Sequence, residues 1–163
     1  MTISQTGKSN ERPAAKLPEG YTIRPIETDD YERGVLKTLA TLTTVGEISK
    51  PEFANVIKEW ASHGDTYTTL VIVDGQDQVV GVGSIIIELK LIHACAKIGH
   101  IEDISIRGDQ QGKKLGLLLI QSLTKIGEEK GCYKVILDCD PKNKGFYEKC
   151  GYQQAGLEMD IRF

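Results

Sequence analysis

The chain has 163 residues, 23 acidic against 20 basic side chains, a formal net charge of −3 and a sequence pI near 5.7. That length argues for one folded unit whose core needs no disulfide or metal staple, and the charge leaves no global basic field to hold nucleic acid. No apolar run approaches the ~20 residues that cross a bilayer, which excludes membrane insertion. Cys95, Cys132, Cys139 and Cys150 form no Cys-x-x-Cys pair and follow no secretory apolar segment, which indicates free thiols in a reducing, cytoplasmic compartment.

Residues 1–17 are polar, contain proline and lack periodicity, so they are expected to form a disordered leader ahead of a single domain over residues 18–163. Tyr21 to Ile26 alternates with period two and carries Pro25, which suits a strand at a sheet edge. Asp29 and Glu32 resemble a capping box, and Tyr31, Val35, Leu36, Leu39 and Leu42 then share one helical face. Thr43 to Gly46 interrupts that helix. A second one has firmer signals: Ser49 as N-cap, Pro51 in the first turn, Glu52 three residues after the cap, then Phe53, Val56, Ile57 and Trp60. Tyr67 to Val73 and Gln78 to Leu91 are β-branched, apolar runs joined by the turn Asp74-Gly75-Gln76-Asp77, and Ala96 to Ile106 returns as the next strand of an antiparallel meander. Gln111-Gly112-Lys113-Lys114-Leu115-Gly116 opens a helix whose Leu115, Leu118, Leu119, Leu123 and Ile126 keep a helical period up to Gly131. Tyr133 to Leu137 reads as a short buried strand, Asn143 to Cys150 as a short helix and Tyr152 to Ile161 as a final strand. Antiparallel strands followed by a strand-helix-strand crossover define an α+β class with a mixed central sheet flanked by helices.

Glycines entering a helix let backbone N–H groups approach an anion at the positive end of the helix dipole, so Gln111 to Gly116 suits a phosphate. Neither Gly-x-x-x-x-Gly-Lys-[Ser/Thr] nor Gly-x-Gly-x-x-Gly is present, which removes the main support for nucleotide hydrolysis. Alone, such a turn is more often plain loop chemistry. Its neighbours change the reading: His100-Ile101-Glu102-Asp103-Ile104-Ser105-Ile106 stands before it, and Asn143-Lys144-Gly145-Phe146-Tyr147-Glu148-Lys149-Cys150-Gly151-Tyr152 follows on the short helix. The order of these parts over residues 20–163 resembles the GNAT superfamily of acetyl-CoA-dependent N-acetyltransferases. Leu42-Thr43-Thr44-Val45-Gly46, Lys90-Leu91-Ile92-His93 and Gly131-Cys132-Tyr133-Lys134-Val135-Ile136-Leu137-Asp138-Cys139 narrow the resemblance to the eukaryotic, fungal-like branch that acetylates glucosamine 6-phosphate. One departure is visible, since the superfamily pattern has Gly or Ala where this chain has Lys114.

The resemblance implies a GNAT fold with a strand splayed from its neighbour. It also implies transfer of acetyl from acetyl-CoA to the 2-amino group of D-glucosamine 6-phosphate, a step toward UDP-N-acetylglucosamine. It implies that Ile104, Ser105 and Ile106 pair their backbone with the pantetheine arm, with the Ile104 N–H as oxyanion donor. Gly112, Lys113, Lys114, Leu115, Gly116 and Leu117 would hold the pyrophosphate, and Asn143, Phe146 and Tyr147 would flank the coenzyme. By the same likeness Glu102 positions the sugar and takes the amine proton, directly or through water, Asp138 holds the amine, and Tyr147 protonates or hydrogen-bonds the departing sulfur. Thr43, Lys90, Leu91, Ile92, His93, Asp103, Ile104, Tyr133, Lys134 and Arg162 complete the sugar-phosphate site. Arg162 would come from a partner subunit, hence a homodimer with sites at its interface.

The residues alone leave plainer readings open. Strand carboxylates often solvate an edge, a helix tyrosine often packs in a core, and a lysine usually stays in water. In a regular strand Glu102 and Asp103 point to opposite faces, so only one meets the amine. His63, His93 and His100 are too widely spaced to ligate a metal. Cys132, Cys139 and Cys150 read as buried thiols rather than nucleophiles, because the resembling family transfers acetyl directly. Two other functions compete: an N-acetyltransferase acting on protein or polyamine, and a CoA-binding module that senses without turnover.

Overall fold

The computed structural model describes residues 15–163. One mixed sheet runs in chain order through β1 (Thr22–Pro25), β2 (Tyr67–Val73), β3 (Val79–Leu89), β4 (Lys97–Ile106) and β5 (Cys132–Ile136). The first four strands pair antiparallel and β5 joins β4 in parallel. β1 is an edge strand, where Pro25 does least harm to the ladder. A parallel pair demands a crossover, and the helix that opens at the glycine turn supplies it.

Among the described residues four helices cover the sheet: α1 (Val35–Leu39), α2 (Lys50–Ser62), α3 (Leu115–Glu129) and α4 (Lys144–Cys150). Leu115, Leu119, Ile120 and Leu123 of α3 pack on Leu70, Ile72, Val80, Ile85, Ile87 and Ile101. On the other face Val35, Phe53 and Ile57 pack on Val71, Val73, Val79 and Val82. β2 therefore sends alternate side chains into two cores, which is why it reads as an unbroken apolar run.

The Ser49–Glu52 capping box forms as expected, with the Ser49 N–H donating to the Glu52 carboxylate at 2.7 Å. The first helix differs from its sequence reading. Glu27 and Asp30, not Asp29 and Glu32, make the reciprocal cap of a 3-10 turn over Thr28–Tyr31, and left-handed Gly34 (φ 83°) breaks the chain before α1. The cause is an ion pair that periodicity does not reveal. Asp30 is fully buried, accepts from both terminal nitrogens of Arg24 at 2.7 and 2.9 Å, and also accepts the Glu27 N–H at 2.8 Å.

Two other expectations change. Residues 152–163 form no strand, and Leu157, Met159, Ile161 and Phe163 are exposed. Their alternation is real, but a strand is held by paired backbone groups and no ladder reaches these residues. β5 is half-exposed rather than buried, because it is the outer strand of the sheet. Of the expected leader, residues 1–14 lie outside the described residues. At its end the Ala15 N–H donates to the Gln121 side-chain oxygen at 2.9 Å, and Leu17 packs on the α3 core.

Candidate active site

The ladder between β4 and β5 runs from Lys97–Cys132 to His100–Ile136 and stops. Beyond it Ile101 to Ile106 continue along β3 with no partner on the β5 side. In the same stretch β4 bulges. Val82 faces Ser105 and Ser84 faces Glu102, so Gly83 stands opposite both Asp103 and Ile104, and Asp103 is left-handed at φ 56°. The extra residue overturns the regular-strand expectation for Glu102 and Asp103, which both line one cleft. Strict alternation would also separate Ile101 from Ile104, yet Ile101, Ile104 and Ile106 all pack into the α3 core.

That cleft holds about 330 Å³, within the usual range for small-ligand sites. It brings together Glu102, Asp103, Ile104, Asp138, Asn143 and Tyr147 from the sequence reading, and adds Leu42, Leu137, Cys139 and Lys142. Burial pushes the Glu102 carboxyl up, and the nearby charges of Asp138 and Asp103 push it further. Burial pushes the Tyr147 phenol up to about 12, so it stays protonated at neutral pH. Glu158, past α4, is raised chiefly by the nearby charge of Asp138, and no sequence signal marked it. Among the described residues Cys95, Cys132 and Cys139 are free thiols, but Cys139 is exposed, not buried, because the chain has left the sheet by that point, and Cys132 and Cys150 are half-buried.

Beside the cleft, the turn into α3 has two left-handed residues, Gly112 at φ 83° and Lys114 at φ 59°. Lys114 keeps the backbone that a glycine would take there, at a cost of roughly 1–2 kcal/mol for a residue with a Cβ. It is also the N-cap of α3 and supplies no side-chain acceptor to the first turn. Lys113 and Lys114 differ in what their ammonium groups meet. Lys113 donates to Tyr21 Oη and Gln110 Oε1, both at 2.8 Å, which ties the turn to the residue just before β1. The ammonium of the exposed Lys114 makes no hydrogen bond or ion pair among the described residues. Leu115 is buried, Leu117 half-buried, and a Cβ on Gly116 would lie 3.2 Å from Phe146 Cζ, so that glycine lets α4 close on α3.

Of the expected sugar-phosphate residues, Asp103 and Ile104 line this cleft and the others do not within one chain. Thr43 is exposed, next to the cleft-lining Leu42. Lys90 pairs with Glu88 at 2.6 Å, and Glu88 also meets His100 at 2.7 Å. Leu91 and Ile92 are exposed, and the His93 ring lies 4.7 Å from that of Tyr133, over which Lys134 sits. Tyr133 stands near the start of β5, whereas Asp138 lies two residues past its end. Arg162 is exposed and pairs with Asp160 at 2.9 Å. His93, Ala94 and Cys95 are left-handed in succession (φ 52°, 57° and 60°), a strained turn. Among the described residues no group of His, Cys, Asp and Glu is arranged to hold a metal ion, and no helix is long and apolar enough to cross a membrane.

A mixed sheet parted between β4 and β5, with a glycine-opened helix at the gap, defines a class, and the profile described as "Acetyltransferase (GNAT) family" matches residues 23–152. The chain belongs to that family, whose acetyltransferases use acetyl-CoA. It is 53% identical over 147 residues to the glucosamine 6-phosphate N-acetyltransferase of Candida albicans, covering 90% of this chain and 99% of the relative. It is 39% identical over 146 residues to glucosamine 6-phosphate N-acetyltransferase 1 of Dictyostelium discoideum, covering 89% and 92%. The crystal structure of glucosamine-6-phosphate N-acetyltransferase from Arabidopsis thaliana matches with a TM-score of 0.87 at 37% identity, covering 89% of this chain and 99% of that one. The family and the α+β fold expected from the motifs hold.

Proposed function

We propose that this chain transfers acetyl from acetyl-CoA to the 2-amino group of D-glucosamine 6-phosphate. One observation carries the reading: at the parted end of β4, Glu102, Asp138 and Tyr147 meet beside main chain that has lost its strand partner. Open donors along Ile104 to Ile106 suit a pantetheine arm laid in as an added strand, and Gly112 to Leu117 suit the pyrophosphate. The relatives named above act on this sugar phosphate.

The residues divide the chemistry. An ammonium cannot attack, and a carboxyl whose proton affinity is raised by burial is a better base near neutrality than an ordinary one. Glu102 takes the amine proton, and Asp138 holds the amine. As the C–N bond forms, the Ile104 N–H meets the charge growing on the thioester oxygen. The C–S bond then breaks and its electron pair leaves on sulfur. Tyr147, near 12, is a weaker acid than a thiol at ~8.5. It therefore hydrogen-bonds the departing thiolate and does not become a phenolate, and the proton passed to Glu102 balances the sulfur through solvent.

The active unit is a homodimer in this reading. Residues 152–163 alternate as a strand without a strand partner, and Lys90 to His93, Tyr133 and Lys134 sit at the far end of β5 from the cleft. A second copy brings an Arg162 to a cleft that one chain leaves open. Light scattering is expected to give twice the 18.0 kDa chain mass.

Thiol release measured with glucosamine 6-phosphate, glucosamine, a polyamine and a lysine peptide tests the function. Release is expected to be fastest with the phosphorylated sugar. Release led by the polyamine or peptide would replace the substrate, and coenzyme binding without release from any amine would make the chain a sensor.

A further inference from the structure

We infer that Gly83 on β3 is a positioning residue for acetyl transfer, because the space left by its missing side chain seats Ile104 and so sets where the Ile104 N–H points. The inference rests on the reading of that N–H as the oxyanion donor.

The geometry is specific to the bulge. Gly83 alone on β3 stands opposite Asp103 and Ile104, between the Val82–Ser105 and Ser84–Glu102 pairs. A Cβ built on Gly83 would lie 2.5 Å from Ile104 Cδ1, 3.0 Å from Leu119 Cδ2 and 3.1 Å from Leu123 Cδ1. The Ile104 side chain thus occupies the volume that any other residue at position 83 would claim. Leu119 and Leu123 are fully buried in the α3 core and have little room to yield. Ile104 is half-buried, has no pairing partner on β5, and follows Asp103, whose left-handed backbone is held only by its surroundings. Of the three contacts it is the one free to move. A methyl group at position 83 displaces Ile104 and carries its peptide along the gap in which the thioester oxygen must sit. An oxyanion donor works only when fixed in advance at the place where charge develops.

Gly127 on α3 provides the comparison. A Cβ there would lie 2.7 Å from Val135 Cγ2 and 3.1 Å from Ile85 Cδ1. The crowding is similar but touches the core, not the bulge.

Steady-state kinetics on the full chain decide the matter, using Gly83→Ala, Ile104→Val, the pair Gly83→Ala/Ile104→Val, and Gly127→Ala. Gly83→Ala is expected to lower kcat by about ten- to hundredfold, the scale of a misplaced reacting group, with both KM values within about threefold of native. Ile104→Val removes the Cδ1 atom that clashes, so the pair is expected to return to the kcat of Ile104→Val alone. Gly127→Ala is expected to lower the melting temperature with kcat within about threefold of native. Native kcat in Gly83→Ala, a pair as impaired as Gly83→Ala, or an equal kcat loss in Gly127→Ala would each overturn the inference. Should Gly83→Ala fail to fold, the pair alone decides by the same criterion. A native chain that releases no thiol with glucosamine 6-phosphate would instead defeat the functional reading.

Discussion

The parted end of β4 and the segment beyond α4 both interleave apolar with polar residues and end in opposite states. At the first, Ile101, Ile104 and Ile106 pack against α3 while Glu102 and Asp103 turn into the cleft. At the second, Leu157, Met159, Ile161 and Phe163 lie between 78% and 113% exposed. Alternation says which side chains want burial, but a facing edge decides whether they get it. The difference separates two halves of one function. The groups suited to acetyl transfer meet within one chain, whereas those suited to the sugar phosphate are spread between the far end of β5 and an unpaired terminal segment.

The transfer half is broken hardest at Glu102. Glu102→Gln is expected to lower kcat by about 10²–10⁴, the usual worth of a positioned base, with the acetyl-CoA KM nearly unchanged. Native kcat/KM should fall as pH drops through a Glu102 pKa lying above the ordinary carboxylate value, and the variant should lack that acid limb. Stability has the opposite sign. A carboxyl raised in the folded state binds its proton more tightly there than in the unfolded chain. It therefore costs stability as pH rises from the ordinary value through the raised one. Glu102→Gln should melt no lower than native at neutral pH, and an inactive variant that also melts lower would deny Glu102 this role. Tyr147→Phe removes one hydrogen bond to a charged group, worth ~1.5–3 kcal/mol, so its kcat loss should be smaller, about ten- to hundredfold.

The phosphate half should fail differently. Arg162→Ala is expected to raise the KM for glucosamine 6-phosphate by about ten- to hundredfold, a charge-assisted hydrogen bond again, and to leave the acetyl-CoA KM alone. The preference over unphosphorylated glucosamine should shrink with it. Mixing Arg162→Ala chains with Glu102→Gln chains sharpens the comparison. If the arginine crosses between copies, each hybrid dimer has one site with native Glu102 and native Arg162, and activity at low sugar recovers. No recovery on mixing would place Arg162 on its own chain's cleft or outside the site.

What the sequence revealed follows the same division. The Ser49–Glu52 box and the turn at Gln111 to Gly116 are local, their parts within a few residues of one another, and both are present in the fold. The bulge at Asp103 was hidden because the residue it stands against, Gly83, lies across the sheet and far away in sequence. The Arg24–Asp30 ion pair, which replaced the expected cap, joins a strand to a turn and leaves no periodic trace. Leu42 and Cys139 reach the cleft only because the chain leaves regular structure just before each. Their residue types carry no chemical signal.

Lys114 tests whether a strained residue is kept for its charge. Replacing it with glycine removes a left-handed penalty of roughly 1–2 kcal/mol, while the freer unfolded chain takes back about 0.4–1 kcal/mol. Lys114→Gly should therefore be more stable than native, by about 0.5–1 kcal/mol in denaturant unfolding. The same change removes an ammonium that has no hydrogen bond or ion pair among the described residues, at the turn proposed to hold the pyrophosphate. An exposed pair is worth ~0.2–1 kcal/mol, so the acetyl-CoA KM should rise by about two- to fivefold. The rise should fade as salt screens the interaction. Lys114→Ala separates the two effects, since it loses the charge and keeps the strain. Its KM should rise equally with no gain in stability. If Lys114→Gly is stabilised with an unchanged KM at low salt, the ammonium plays no part in holding the coenzyme.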